Sequence, residues 1–408
     1  MKATGSMVGG ALLIAGTCIG AGMLGLPVMT AAAGFYPTIA AFLLVWLFMT
    51  CSALAYLEVS LRFPGEVNLI SMAGKILGRG GKTFAWITYV LFLYSLMAAY
   101  TAGGTTRLAY SLRLDIQGDF DSRVMPLLFV APFAGLVYLG TGCVDLVNRL
   151  LMIGLVVAFI GMCYLALHTC PIHVFTPMGD SKYLLAAFPL LVTAFGYHLL
   201  IPTLKTYLNE DIKKLRYTII VGSLLPLVVY AVWELIVLNL IPTWGAGGLV
   251  EMLNSGMNPA DTMAQSLEAH GPSITLFVVW FAFFALTTSF IGVGLGIFDF
   301  FADGMHFKHT KGDRAILSII TFVPPVFYTL IYPQGFLLAL NYAGVFAVIL
   351  LVIYPVAMAW HARYVKKIPG SYQMFGGKLV LVLTLIFGLL VVMADIYQQQ
   401  GLLPIPHN

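Results

Sequence analysis

The chain contains eleven long, almost continuously apolar segments, and this feature restricts its fold more than any other. We number them 1 to 11; they lie near residues 6–33, 37–62, 83–110, 124–140, 143–168, 184–207, 215–241, 273–303, 314–332, 335–363 and 376–397. About 20 apolar residues cross a bilayer as a helix. The strands of a membrane barrel are shorter and alternate between polar and apolar residues. The sequence therefore predicts an all-α integral membrane protein with 11 transmembrane helices.

The composition leaves no room for a sizeable soluble domain. Of the residues, 60% are hydrophobic and 9% are charged, whereas a soluble domain has about 25% charged residues. Segment 1 is longer than the apolar core of a signal peptide, so we predict that it is retained as the first span. The five cysteines show no metal-type spacing and lie mostly in apolar segments, where cysteine is an ordinary buried residue.

The distribution of positive charge predicts the orientation. With a cytoplasmic N-terminus, 17 of the 21 Lys and Arg residues fall in inner connections and 4 in outer ones. This distribution obeys the positive-inside rule, and an early gain or loss of one span would destroy it. We therefore predict an N-terminus inside and a C-terminus outside. The net charge of +4 needs no nucleic-acid partner.

Two segments are interrupted in the middle by helix-breaking residues. Segment 1 contains GTCIGAGMLGLP (Gly16 to Pro27), and segment 6 contains TAFGYHLLIP (Thr193 to Pro202). Glycine and proline are unfavourable inside a helix, although in membrane helices they also serve close packing. The two interrupted segments lie five apart and run in opposite directions. This arrangement predicts an inverted repeat of 1–168 and 184–363, with 376–397 as an additional helix.

A broken membrane helix exposes backbone groups that can bind a ligand. The half that begins at the break presents free N–H groups and the positive end of its dipole, which attract a carboxylate. The half that ends there presents free carbonyl oxygens, which suit a small cation. A zwitterionic amino acid together with a cation fits both features, so we predict a secondary transporter rather than an enzyme.

Several stretches resemble one transporter family. They are GTCIGAGMLGLP followed by AAAGF, AFGYHLLIPTL, KKLRYTIIVGSLLPLVVY and TTSFIGVGLGIFDFFAD. The sequence is similar, over nearly its whole length, to the hydroxy and aromatic amino acid permease family of the amino acid–polyamine–cation superfamily. The resemblance implies a leucine-transporter-type fold with broken helices 1 and 6 and an extra helix 11. It also implies a symporter of the bacterial inner membrane that imports tyrosine, tryptophan or both by alternating access.

The same resemblance implies a set of substrate-binding residues in segments 1, 3 and 6. They are Gly20, Ala21, Gly22, Tyr94, Tyr100, Phe195, Gly196, Tyr197 and His198. The glycine-rich group matches the amides that hold the substrate carboxylate, and the segment 6 group matches the part that shapes the side-chain pocket. Packing between helices is the alternative for the two segment 3 tyrosines.

Two coupling ions, H⁺ and Na⁺, are consistent with the sequence. Relatives are usually proton symporters, and the proton-carrier candidates are Glu58, Glu234 and His198. A sodium site is implied by Gly16, Ile19, Thr288 and Ser289, which match the carbonyls and hydroxyls of sodium-coupled members of the fold. Segment 5 has no lysine at the place where some proton-coupled relatives carry one. No other cofactor is predicted, and the expected partners are the amino acid and membrane lipid, with no obligate protein partner.

The remaining expectations concern individual side chains, loops and rival functions. The outer connection between segments 7 and 8, near residues 242–272, carries Leu249, Met252, Leu253 and Met257 at helical spacing. This spacing predicts a helix on the outer surface, with an exposed loop as the alternative. Asp145 and Arg149 are one turn apart and can pair. His306 and His309 lie in a basic loop and do not indicate a metal site. No segment shows the polar stripe of a channel; a permease of broader specificity and a non-transporting amino acid sensor remain as alternatives.

Overall fold

The computed structural model describes residues 6–65, 67–112, 119–139, 141–169, 179–255, 263, 272–305, 307 and 310–406, and this part of the chain contains helices but no strand. Each predicted segment is helical. The bounds, from segment 1 to segment 11, are Met7–Cys18 with Ala21–Ala33, Phe35–Ser60, Leu69–Leu112, Asp119–Leu139, Thr141–Thr169, Ser181–Tyr207, Ile212–Leu240, Pro272–Gly304, Lys311–Ile331, Phe336–Val365 and Gly377–Gln399.

In the described part of the chain, nine helices are long and apolar enough to cross a membrane, and the two bent halves of segment 1 make a tenth span. Segment 4 has a shorter apolar part, Arg123–Leu139. The all-helical, multi-span architecture is therefore confirmed, while the count of eleven spans stays a prediction. Segment 3 begins earlier than its apolar run because the helix continues from Leu69 through a kink at Gly78, where φ is +84°.

The segments pack in two groups. Segments 1, 2, 6 and 7 contact one another, and segments 3, 4, 8 and 9 form a second group. The contacts repeat when each of segments 1–5 is exchanged with the segment five places later. Segment 3 packs on segment 10, and its counterpart, segment 8, packs on segment 5. Likewise segment 1 packs on segment 7, and segment 6 packs on segment 2. The packing pattern is thus shared by the first five and the next five segments.

Small residues allow the closest helix contacts. On segment 5, a Cβ at Gly154 would overlap the Phe284 ring, and one at Gly161 would overlap the Phe277 ring. Without a side chain at these glycines, the aromatic rings of segment 8 can lie directly against the backbone of segment 5. Small residues of this kind let membrane helices approach closely, since water does not drive their association inside a bilayer.

A buried lysine joins the C-terminal end of segment 2 to segment 6. Lys205 of segment 6 is fully buried, and its Nζ donates to the carbonyl oxygens of Ser60 at 3.1 Å and Phe63 at 2.7 Å. Ser60 is the last helical residue of segment 2 and Phe63 lies three residues further on. A cation is favourable there because the last carbonyls of a helix lack partners within the helix.

Both predicted breaks are present. Segment 1 stops at Cys18 and resumes with a 3₁₀ turn, Ala21–Gly25, and a short helix, Leu26–Thr30; its two halves differ in direction by 49°. Segment 6 stops at Ala194 and resumes after Phe195–Tyr197, which is not helical. A proline stands in the first turn of the resumed helix in both segments, a position where its missing N–H costs nothing.

The connection between segments 7 and 8 is helical over Leu249–Ser255, as predicted, while its position on the outer side stays a prediction. Leu249 and Met252 are buried against the second half of segment 1, Ala21–Ala33, and Leu253 packs on the same core. Met257 lies outside the described residues. The halves of segments 1 and 6 are called inner and outer below after the predicted orientation.

Candidate substrate site at two helix breaks

The two breaks meet at the hydroxyl of Tyr230 in segment 7. Its oxygen lies 2.6 Å from the carbonyl oxygen of Cys18 and 2.7 Å from that of Ala194, and its hydrogen is donated to this pair. Cys18 is the last helical residue of the inner half of segment 1, and Ala194 is the last of the outer half of segment 6. The negative ends of two helix dipoles therefore converge on one buried point.

The outer half of segment 1 presents its positive end at the same level. The amide of Ala21 donates to the hydroxyl of Ser289 in segment 8 at 3.0 Å. Gly22 is next in the first turn, where a helix supplies no acceptor for the amide. Gly22 is buried, yet a Cβ added to it would meet no atom within 4 Å. An internal free volume therefore lies directly beside this amide.

Aromatic side chains border the break. Phe195 is fully buried, and its ring meets the ring of Tyr230 edge to face at a centroid distance of 5.2 Å. Tyr100 of segment 3 is buried, and its hydroxyl lies near that of Ser289, the residue that accepts the Ala21 amide. The structure thus places Tyr100 and Phe195 beside the two breaks.

Three other predicted substrate residues have different neighbours. The Tyr94 hydroxyl donates to the carbonyl of Ile320 in segment 9 at 2.7 Å. Tyr197 lies next to hydroxyls of segments 2 and 7, and His198 is fully buried beside the backbone of Met49 in segment 2. These positions give no support to substrate contacts by the three side chains. Gly196 remains in the break through its backbone, whose amide donates to Thr193 at 3.0 Å.

Segment 7 supplies two residues that sequence reasoning did not single out, Tyr230 and Trp233, beside the proton-carrier candidate Glu234. Trp233 donates from Nε1 to the carbonyl oxygen of Met23 at 2.9 Å. Glu234 lies 2.7 Å from the hydroxyl of Thr30, so three neighbouring positions hold segment 1 on both sides of its break. The sequence does contain a signal for this set: Tyr230, Trp233 and Glu234 of YAVWE have polar ends and stand at positions i, i+3 and i+4. Residues at this spacing lie on one face of a helix.

The four residues of the predicted sodium site lie where segments 1, 5 and 8 adjoin. Ser289 faces segment 1 through Ala21, whereas the hydroxyl of Thr288 donates to the carbonyl of Phe284 in its own helix at 2.8 Å. Gly16 lies against Met152 of segment 5. The fourth residue, Ile19, follows the last helical residue of the inner half of segment 1. Neutral oxygens of this kind are able to bind Na⁺.

Of the proton-carrier candidates, Glu58 is held by two cations. It is fully buried, and its Oε1 lies 2.7 Å from both the Arg62 and the Arg363 guanidinium, while Oε2 accepts from the Met374 amide at 2.9 Å. This set of donors matches an ionised carboxylate, so the structure favours a salt-bridge interpretation. Asp145 and Arg149 also pair, at 2.8 Å, and both are exposed.

The described residues contain no group of three or more His, Cys, Asp or Glu side chains that could hold a metal ion. His306 and His309 lie outside the described residues. Resident-metal chemistry therefore has no candidate site in this part of the chain.

Known proteins resemble the chain over nearly its full length. The model of the tryptophan/tyrosine permease family matches residues 3–395. The tyrosine-specific transport system 1 of Haemophilus influenzae is 34% identical over 404 residues, with 97% of this chain and 98% of the relative covered. The tryptophan-specific transport protein of the same organism is 33% identical, with 97% of each chain covered.

A solved structure supports the fold at greater distance. The manganese transporter of Eremococcus coleocola has a TM-score of 0.59 and 15% identity, with 97% of this chain and 86% of that chain covered. At this identity the likeness concerns the fold alone. The match of the family model and the identity of the relatives together establish that the chain is an integral membrane permease, not an enzyme, and belongs to the tryptophan/tyrosine permease family.

Proposed function

We propose that the protein is a cation-coupled symporter that imports tyrosine, tryptophan or both across the bacterial inner membrane by alternating access. The observation that carries this proposal is the meeting of the two helix breaks: two carbonyl-bearing helix ends at Tyr230, and a free volume beside the Gly22 amide. An ammonium group is attracted by the carbonyl ends and a carboxylate by the amide end. An α-amino acid carries both groups on adjacent atoms.

The aromatic specificity rests on the side chains around the break. Phe195 and Tyr100 offer flat apolar surfaces, which stack favourably on an aromatic ring. The names of the relatives, tyrosine-specific and tryptophan-specific, support the same class of substrate. We propose that these two side chains and the backbone of Gly196 form the wall that accepts the ring.

The proposed architecture is eleven transmembrane helices in two inverted repeats, 1–168 and 184–363, with 376–397 as the extra helix. The shared packing pattern of the first and next five segments supports it. The N-terminus is inside and the C-terminus outside, as the distribution of positive charge favours. Rocking of segments 1, 2, 6 and 7 against segments 3, 4, 8 and 9 then opens the break to each side in turn.

The coupling ion has two candidates. Ser289 and Thr288, with the carbonyls of Gly16 and Ile19, supply neutral oxygens for Na⁺. Glu234 supplies a carboxyl group for H⁺. Neutral hydroxyls do not titrate near pH 7, so the two candidates differ in their dependence on pH.

The proposed function is tested by uptake of labelled tyrosine and tryptophan into proteoliposomes, with the sodium and proton gradients imposed separately. We expect either amino acid to accumulate under one of the gradients, and unlabelled tyrosine or tryptophan to compete far better than leucine or serine. Equal competition by leucine indicates a permease of broader specificity. Binding without uptake under either gradient refutes transport and indicates a sensor.

A further inference from the structure

The hydroxyl of Thr30 has two oxygen neighbours but only one hydrogen. Its Oγ1 lies 2.7 Å from the carbonyl oxygen of Leu26 and 2.7 Å from Oε1 of Glu234. One hydroxyl hydrogen can be shared between two acceptors, as at Tyr230, but it then forms two weakened bonds instead of one well-aligned bond. The carbonyl of Leu26 carries no hydrogen, so a second hydrogen can come only from the carboxyl group of Glu234. With that hydrogen, Thr30 donates to Leu26 and Glu234 donates to Thr30, and both contacts are complete.

We propose that Glu234 is a proton-binding site that holds the outer half of segment 1 against segment 7 when it is protonated. This inference rests on the proposed function, because it assigns the coupling ion of that transport cycle to H⁺ and its site to one side chain. Protonation converts the carboxylate to a carboxylic acid, and the added hydrogen forms the bond to the Thr30 hydroxyl. No other bond changes.

The surroundings of Glu234 favour the neutral acid in this conformation. The residue is fully buried, and its Oε2 has no hydrogen-bond partner among the described residues. A buried carboxylate without a cation or a set of donors is costly, whereas a carboxylic acid that donates one hydrogen bond is not. The carboxylate of Glu58 shows the contrast within the same molecule, since two guanidinium groups and an amide surround it.

The neighbouring segments offer Glu234 no ion-pair partner in the part of the chain that the structure describes. Segment 7 packs on segments 1, 2 and 5, and its Trp233 and Tyr230 rings meet segments 8 and 6. The titratable side chains on these segments are Cys18, Tyr36, Cys51, Tyr56, Glu58, Cys143, Asp145, Arg149, Cys163, Tyr164, His168, Lys182, Tyr183, Tyr197, His198, Lys205, Tyr207, Asp299 and Asp303. Among the described residues none forms an ion pair with Glu234. Proton binding to Glu234 is thus not opposed by a fixed positive charge in contact with it.

The position of Thr30 links this proton to the substrate. Thr30 ends the short helix of the same outer half that begins with Ala21 and Gly22. Loss of the proton leaves one hydrogen for two acceptors, so Leu26 and Glu234 compete for the hydrogen of Thr30 and the attachment to segment 7 weakens. A change in the position of this half moves the amides at its other end. Binding of the proton and binding of the amino acid therefore strengthen each other, since linkage is reciprocal.

The test compares E234Q with D395N in the purified full chain. Asp395 is the matched control, because it is also a buried acid in a membrane segment, hydrogen-bonded to Gln399 at 2.6 Å and remote from segment 1. Above the pH at which Glu234 loses its proton, the wild type and D395N should bind labelled tyrosine or tryptophan about tenfold more weakly for each further unit of pH. E234Q cannot titrate and should bind with an affinity that does not depend on pH.

A second measurement does not need the substrate. Infrared difference spectra of the wild type between acidic and alkaline buffers should show the C=O stretch of a buried carboxylic acid, which E234Q lacks and D395N retains. If E234Q does not fold, T30V supplies the test: it removes the hydroxyl, leaves Glu234 in place, and should shift the pH at which this infrared band disappears.

The outcomes separate this inference from the proposed function. If the wild type binds neither amino acid, the proposed function fails. If it binds one of them with no dependence on pH, or if E234Q keeps the same dependence as the wild type, the assignment of the proton to Glu234 is overturned while the transport function stands. An unchanged infrared band in both E234Q and T30V overturns it as well.

Discussion

Enlarging Gly22 should remove substrate binding while the fold remains intact. The residue is buried, but an added Cβ meets no atom within 4 Å, so the methyl group of G22A enters the free volume without overlap. Because glycine is less favourable than alanine in helical backbone by about 0.5–1 kcal/mol, the unliganded variant should be as stable as the wild type or slightly more stable.

The methyl group occupies the space through which a carboxylate reaches the Gly22 amide. Loss of one hydrogen bond to a charged group costs about 1.5–3 kcal/mol, which corresponds to roughly tenfold to hundredfold weaker binding. The larger side chain of G22L should abolish binding. Gly135 of segment 4 provides the control: it is exposed, and its added Cβ also meets no atom within 4 Å.

The assay is thermal unfolding of the purified variants in detergent, with and without tyrosine or tryptophan. G135A should unfold and respond to the amino acids as the wild type does. G22A and G22L should unfold at the wild-type temperature or slightly above it without ligand, and show a reduced or absent response to ligand. An undiminished response in G22L would refute the placement of the carboxylate at this amide. A large loss of stability in G22A would refute the free volume.

Three further predictions concern the contacts around the site. Y230F removes the single hydrogen shared by two buried carbonyls and should lower stability by about 1–3 kcal/mol, measured by thermal unfolding; no loss would mean that water replaces the hydroxyl. E58Q leaves two buried guanidinium groups without their anion and should cost about 3–5 kcal/mol, whereas D145N breaks an exposed pair and should cost at most about 1 kcal/mol in the same assay. If Na⁺ binds at Thr288 and Ser289, substrate affinity should rise with sodium concentration at fixed pH, and the double change to alanine should remove that rise; a rise that survives the change excludes this site.

The sequence predicts the breaks well because their cause is local. Glycine and proline act on the backbone at their own positions, so GTCIGAGMLGLP and TAFGYHLLIP indicate where segments 1 and 6 stop and resume. The interruptions after Cys18 and Ala194 follow from these residues. The apolar length of the segments likewise reflects the bilayer and needs no knowledge of neighbouring helices.

The partners of the breaks could not be predicted in the same way. Tyr94 and Tyr100 look alike in the sequence, yet Tyr94 is hydrogen-bonded to segment 9, whereas Tyr100 lies near Ser289 beside the break. Tyr230 and Trp233 are aromatic residues in an apolar helix, and packing is the ordinary explanation for such residues. The rotation of each helix about its axis decides which of them reaches a carbonyl, and the hydrophobic pattern of a buried membrane helix leaves that rotation undetermined.

The attachment of segment 1 to segment 7 has a consequence for the direction in which the site opens. Segment 7 is not interrupted at the break of segment 1, and it contacts the two halves of segment 1 through different groups. Against the inner half, Gly222 lies so close to Ala11 and Ile14 that a Cβ would contact them at 3.0 Å, and the hydroxyl of Tyr230 donates to the carbonyl of Cys18 at the end of that half. The outer half is held by Trp233 and Glu234, whose partners would be left unbonded on separation. In the alternating access that we propose, release of this half therefore requires water to enter the gap beside Trp233 and Glu234, so hydration of that gap becomes a step of the opening itself.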